Sequence, residues 1–185
     1  MDLVSRVKGL LLDPKAEWAV IAGEQASPGD LIRNYVAILA AIPAVCGFIG
    51  TSIIGVAGIR TPFLAGLLGA VSGYVLTLVG VFIVAFVIDF LAETFGGRRN
   101  FPAAMKVAAY APTAAWVASV FTLLPVLAIL TVLGLYSFYL FYLGLPMLMR
   151  TPEDKTLGYL LAVLVCVVIV WAVILLLPAR LLGIA

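Results

Sequence analysis

Histidine is absent from the 185 residues of this chain. That absence removes the commonest metal ligand and the commonest general base. Cysteine is scarce as well. Cys46 and Cys166 each stand alone inside an apolar run, so no CxxC site can form, and each reads as a small apolar packing residue. Charged side chains make up only 11% of the sequence and hydrophobic ones 65%, against about 25% charged in an ordinary soluble domain. So little polar surface cannot coat a water-soluble globule of this size. The net charge is +2 and no basic cluster exceeds Arg98-Arg99, so nothing points to a nucleic-acid partner. No nucleophile stands beside a recognisable base and no cofactor motif is present, which argues against an enzyme.

What the sequence has instead is long apolar stretches. A helix needs about 20 apolar residues to cross a hydrocarbon core roughly 30 Å thick. Five stretches qualify, at about 35–58, 63–90, 105–122, 126–149 and 157–177, the third being the weakest. Pro62, Pro102, Pro125, Pro152 and Pro178 fall at or near the breaks, where a helix must start or stop. The expected fold is an all-α polytopic membrane bundle of five transmembrane helices (31–185) carrying an N-terminal amphipathic arm (1–30). Met1 to Asp30 is mixed polar and shows no signal-peptide pattern.

Nine of the eleven Lys and Arg residues fall on one side of these spans. Arg6, Lys8, Lys15 and Arg33 precede the first, Arg98, Arg99 and Lys106 lie between the second and third, and Arg150 and Lys155 lie between the fourth and fifth. Only Arg60 and Arg180 fall opposite. Basic loops stay in the cytoplasm, so the expected topology is N-terminus inside and C-terminus outside. A re-entrant third span would invert everything after it.

Within the arm, Leu3, Val4, Val7, Leu10 and Leu11 share one helical face, with Arg6 and Lys8 on another. Asp13-Pro14 restarts a helix, Asp13 as cap and Pro14 at the first position. Trp18 and Ile21 follow as apolar anchors among Lys15, Glu17 and Glu24, and Ser27-Pro28-Gly29 ends the run. Two short amphipathic helices read as a membrane-surface layer, serving either to cap the bundle or to dock a partner.

Carboxylates near a membrane are functional suspects. Asp89 and Glu93 are four apart and share a helix face, where they could hold a cation or relay a proton. Their position at the end of span two, close to Arg98, Arg99 and Lys106, favours a salt-bridged cluster. Ala65, Gly69 and Gly73 repeat at four-residue spacing, a face that lets another helix approach closely, within the chain or between chains. Pro112, in Tyr110-Ala111-Pro112-Thr113, should kink or break span three and free carbonyls that need a partner. Tyr136, Tyr139 and Tyr142 in span four offer hydroxyls for that purpose, or line an aromatic pocket.

The order of several short motifs resembles the Yip family of Rab-interacting membrane proteins, in its bacterial inner-membrane branch. The matching pieces are Leu11-Leu12-Asp13-Pro14-Lys15-Ala16-Glu17-Trp18 with Ile21 and Glu24, then Tyr35, Phe95-Gly96-Gly97, Tyr110-Ala111-Pro112-Thr113, Pro125, and Tyr136 through Tyr139-Leu140-Phe141-Tyr142-Leu143-Gly144-Leu145-Pro146-Met147. The resemblance implies a five-helix bundle with a cytoplasmic N-terminus and carries no catalytic residues. Eukaryotic relatives are linked to Rab GTPases and endomembrane trafficking, a role that does not transfer directly to a bacterium. Two functions compete. One is a non-enzymatic scaffold or adaptor binding membrane lipids, another membrane protein or itself. The other is a small channel or transporter built from the kinked third helix, the span-four tyrosines and Asp89.

Overall fold

A computed structural model describes residues 2–55 and 59–181. Helix α1 (Leu3–Leu12) and helix α2 (Pro14–Gly23) form the arm. Asp13 joins them, its carboxylate accepting from the Ala16 N–H at 3.3 Å, with Pro14 in the first turn. Ser27 then caps the next helix, accepting from the Asp30 N–H at 3.1 Å.

That helix, α3, runs Pro28–Ile54 and is followed by α4 (Phe63–Leu91). After a short turn come α5 (Phe101–Tyr110), α6 (Thr113–Ala118), two 3-10 segments (Ser119–Leu123 and Pro125–Leu135), α7 (Tyr136–Met149) and α8 (Glu153–Leu181). The described residues are helical and form no strand. Three stretches are long and apolar enough to cross a membrane: Pro28–Ile54, Phe63–Leu91 and Val126–Met149. Their 27, 29 and 24 residues exceed the roughly 20 that a bilayer core requires. Helix α8 is 29 residues long; the side chains of 170–177 in the expected fifth span, and residues 56–58 of the first, lie outside the described residues.

The third expected span differs from a single helix. Its first part, α5, is buried at every residue from Ala103 to Tyr110. The alanines make this possible, because their small side chains let neighbours close in on all sides. The helix then stops at Ala111-Pro112, resumes for six residues and tightens into 3-10 turns after Ala118. Pro112 is the cause, since its ring displaces the preceding carbonyl and it has no N–H to donate. Leu124 is extended (φ −113°, ψ 109°), as the residue before a proline tends to be.

Contacts define two ends of the bundle. At one end the arm, the 93–100 turn and the Met149–Pro152 loop meet: the Arg98 N–H donates to the Met149 carbonyl at 2.9 Å, and Lys106 donates to carbonyls of α2. At the other end Gly50 of α3 packs on the backbone of Thr122 and Leu123. The core gathers at the arm end, where Leu10, Trp18, Ile21, Ile88, Met105 and Met149 are all fully buried. The buried positions of α4 start only at Gly80, while Phe63, Leu64, Leu68, Val71 and Val75 are exposed. Apolar side chains facing outward along a long helix suit lipid. Both cysteines are free.

Candidate functional site

The arm packs against the bundle. Trp18 and Ile21 were expected to be surface anchors, yet both are 0% exposed. They anchor α2 to the bundle and not to lipid. The Trp18 indole lies flat against Gly144 of α7, where an added Cβ would come within 2.7 Å of the ring. Glycine here is the absence of a side chain that would otherwise occupy the indole's place. Trp18 also meets the Tyr110 ring edge-on at 6.3 Å between centroids.

Arg6 reverses its expected position too. It is 4% exposed and faces inward. Its guanidinium bonds Glu17 Oε1 at 2.5 Å and both oxygens of Glu24 at 2.5 Å, and sits 5.4 Å from the Tyr110 ring centroid. Burial opposes the charge, but the hydrogen bond to Glu24 and the fields of the nearby carboxylates outweigh it and hold the Arg6 pKa above its ordinary value. A lone inward arginine would be prohibitive; one with two carboxylates and an aromatic face is satisfied. Glu17 in turn lies over the bare backbone of Gly9.

The arm connects to the break at Pro112 through aromatic rings. Tyr110 packs edge-on to Tyr35 of α3 at 4.6 Å. The Tyr35 and Thr113 hydroxyls are 2.7 Å apart, and Thr113 Oγ1 donates to the Tyr110 carbonyl at 2.5 Å. Ser137 Oγ of α7 accepts the Ala115 N–H at 2.9 Å. Around the break, Thr113 thus takes the Tyr110 carbonyl, Tyr35 the Thr113 hydroxyl and Ser137 the Ala115 N–H; none of these partners is a span-four tyrosine. Tyr136 and Tyr139 lie 5.4 Å apart between ring centroids, and Tyr139 and Tyr142 point outward at 41% and 38% exposure.

The cluster read at the end of span two comes together only in part. Asp89 is 7% exposed and accepts from Arg99 Nε and Nη2, both at 3.2 Å. Glu93 is exposed and forms no ion pair among the described residues. Lys106 turns away from the carboxylates. It donates to the Ile21 carbonyl at 2.9 Å and to the Glu24 carbonyl, closing the C-terminus of α2. No cluster of three or more metal-ligating side chains occurs among the described residues.

The small-residue face of α4 is open. Ala65, Gly69 and Gly73 line a groove of about 430 Å³ between α3 and α4, with Pro43, Gly47 and Thr77 on its walls. A Cβ added at Gly69 or Gly73 meets no atom within 4 Å. These glycines therefore serve no close contact among the described residues. Helices α3 and α4 touch at Gly66, which packs on Ser52 and Phe48.

Sequence reasoning missed Arg6 as a buried group, and it missed Ser137, Tyr159 and Arg150. Tyr159 donates to the Ile88 carbonyl and stacks on Phe95 at 5.1 Å. Arg150 adopts φ 54° at the end of α7. Only the pairing of one arginine with two glutamates in a short arm offered a signal, and it required α1 to fold back on α2.

Residues 8–174 match the model of the Yip1 domain. The inner membrane protein YohC of Escherichia coli strain K12 is 30% identical over 125 residues, which is 65% of this chain and 64% of that protein. The same protein of a second Escherichia coli strain matches equally. The match therefore spans less than two thirds of these relatives' length. No solved structure matches. An all-helical chain with lipid-length apolar helices, matched across residues 8–174, is a membrane protein of the Yip1 family.

Proposed function

We propose that this chain is a non-enzymatic scaffold or adaptor of a bacterial inner membrane, whose open α3–α4 groove receives a transmembrane helix of another membrane protein or of a second copy. The observation carrying this reading is the empty small-residue face. Between lipid-exposed helices, association depends on close van der Waals approach, and small residues allow it. Gly69 and Gly73 provide that approach, and nothing among the described residues uses it.

In this reading the chain crosses the membrane five times, with 101–123 as the broken third crossing. Support comes from its course: α5 starts at the arm end and Thr122 meets Gly50 at the other end. The Lys and Arg residues of the arm, turn and loop at one end then belong in the cytoplasm, as does the N-terminus. The relatives named inner membrane proteins support the location. The conduit reading has less behind it, because the tyrosines face outward and the polar groups at Pro112 are paired.

The test is Gly69→Leu/Gly73→Leu, analysed in native membranes. The leucines fill open space, so folding is kept. Native mass spectrometry should show a helix partner in fixed stoichiometry on the unaltered chain and its loss from the variant. An identical set of bound proteins in both, or none in either, sinks the reading. Loss of ion flux in liposomes on Asp89→Asn or Tyr139→Phe would instead support a conduit.

A further inference from the structure

A polar cleft of about 920 Å³ opens at the arm end of the bundle, with Glu24, Ser27, Arg98, Arg99, Lys106 and Arg150 among its walls. Four of these are cations. Arg98 and Arg150 are exposed and have no carboxylate partner among the described residues. Arg99 remains 48% exposed beside Asp89. Lys106 gives two N–H groups to the Ile21 and Glu24 carbonyls, which leaves it a third. Glu24 is the carboxylate on the wall, and both its oxygens are bonded to Arg6.

Two further features converge there. Helix α3 starts at Pro28 and α5 starts beside Asn100, both on the cleft wall. The Asp30 and Ala103 N–H groups are taken by the Ser27 and Asn100 caps, so what these helix starts bring to the cleft wall is the positive end of the helix dipole. Arg150 holds φ 54° where α7 ends, a position at which glycine is the usual occupant. The backbone gains nothing from arginine there, so the guanidinium at the cleft is what the residue supplies. The Arg98 N–H bond to the Met149 carbonyl brings the backbone of Arg98 up to the residue before Arg150, and both arginines line the cleft.

We propose that this cleft binds an anionic phosphate group, either the headgroup of an acidic lipid or a soluble phosphate. Arginine forks match phosphate oxygens two at a time, and an anion would relieve the mutual repulsion of four cations. The proposal does not rest on helix docking in the α3–α4 groove, since the two sites share no lining residue.

The test uses the full chain in mild detergent, titrated with phosphatidylglycerol, phosphatidylcholine or inorganic phosphate, with bound species counted by native mass spectrometry. Phosphatidylglycerol or phosphate should be retained over phosphatidylcholine. Retention should fall on the order of tenfold in Arg98→Gln/Arg150→Gly and persist in Arg98→Lys/Arg150→Lys. The first variant alters exposed, unpaired side chains and its glycine suits the left-handed backbone, so its melting temperature should match the parent's. Arg60→Gln, a cation on the opposite side in sequence, serves as the control. Retained phosphatidylglycerol that inorganic phosphate does not displace identifies a lipid headgroup; bound or displacing inorganic phosphate identifies a soluble ligand. Equal retention in parent and Arg98→Gln/Arg150→Gly, or no preference over phosphatidylcholine, overturns the proposal.

Discussion

Replacing Arg6 with methionine should release α1 from α2 while leaving the rest of the fold in place. The substitution keeps most of the apolar stem and removes the guanidinium, with its bonds to Glu17 and Glu24. The Glu17 side chain is 10% exposed and would be left as an uncompensated buried charge. Breaking a buried pair by removing one partner costs about 3–5 kcal/mol. Glu24 is 35% exposed and can turn toward water, so it adds little and the lower figure applies. A cost of about 3 kcal/mol raises the opening equilibrium of α1 on the order of a hundredfold, at 1.4 kcal/mol per factor of ten. Amide hydrogen exchange read by mass spectrometry can report this segment by segment. Protection over Leu3–Leu12 should drop by about two orders of magnitude, while protection over Val81–Ile88 in α4 holds. Adding Glu17→Gln to Arg6→Met should recover part of the loss, because a neutral amide in that position is less costly than a lone carboxylate. A change in α1 protection of less than about threefold on Arg6→Met would refute the claim that this ion-paired centre holds α1 on α2.

Two other outcomes follow from the same junction. Gly144→Val places a side chain where the Trp18 indole now lies, an overpacking expected to cost about 1–3 kcal/mol; Trp18 should become accessible to an aqueous fluorescence quencher, and an unchanged quenching curve would count against the contact. Tyr35→Phe and Thr113→Val each strand one member of a buried hydroxyl pair, at about 1–3 kcal/mol apiece, whereas the double variant removes both and should cost less than the sum; additive losses in thermal unfolding would mean that the two hydroxyls are not coupled.

Much of the architecture was legible because it depends on local rules. Apolar length marked α3, α4 and the stretch ending at Met149, and Asp13-Pro14 marked a helix start through capping chemistry; Ser27-Pro28-Gly29, read as the end of the arm, in fact caps and opens α3. Pro112 announced a break, since a missing N–H and a bulky ring act within one turn. The partners of that break were not legible. Tyr35 is 78 positions from Thr113, and Ser137 is 22 from Ala115. Neither span-four tyrosine spacing nor helix periodicity encodes which hydroxyl will arrive. Arg6 failed for a related reason. On α1 alone it belongs to a polar face, and only the fold-back at Asp13 brings Glu17 and Glu24 around it, converting an exposed cation into a buried one. Lys106 misled by proximity in sequence: its charge suggested the Asp89 cluster, but α5 directs it to the carbonyls that end α2. The consequence is that the arm and the Pro112 break are one structure. Arg6 sits on Tyr110, Tyr110 on Tyr35, and Tyr35 on the Thr113 hydroxyl that accompanies the break. Releasing the arm uncovers the Tyr110 ring and takes two carbonyl partners from Lys106, so an event at the N-terminus reaches the basic cleft and the centre of the bundle through direct contacts.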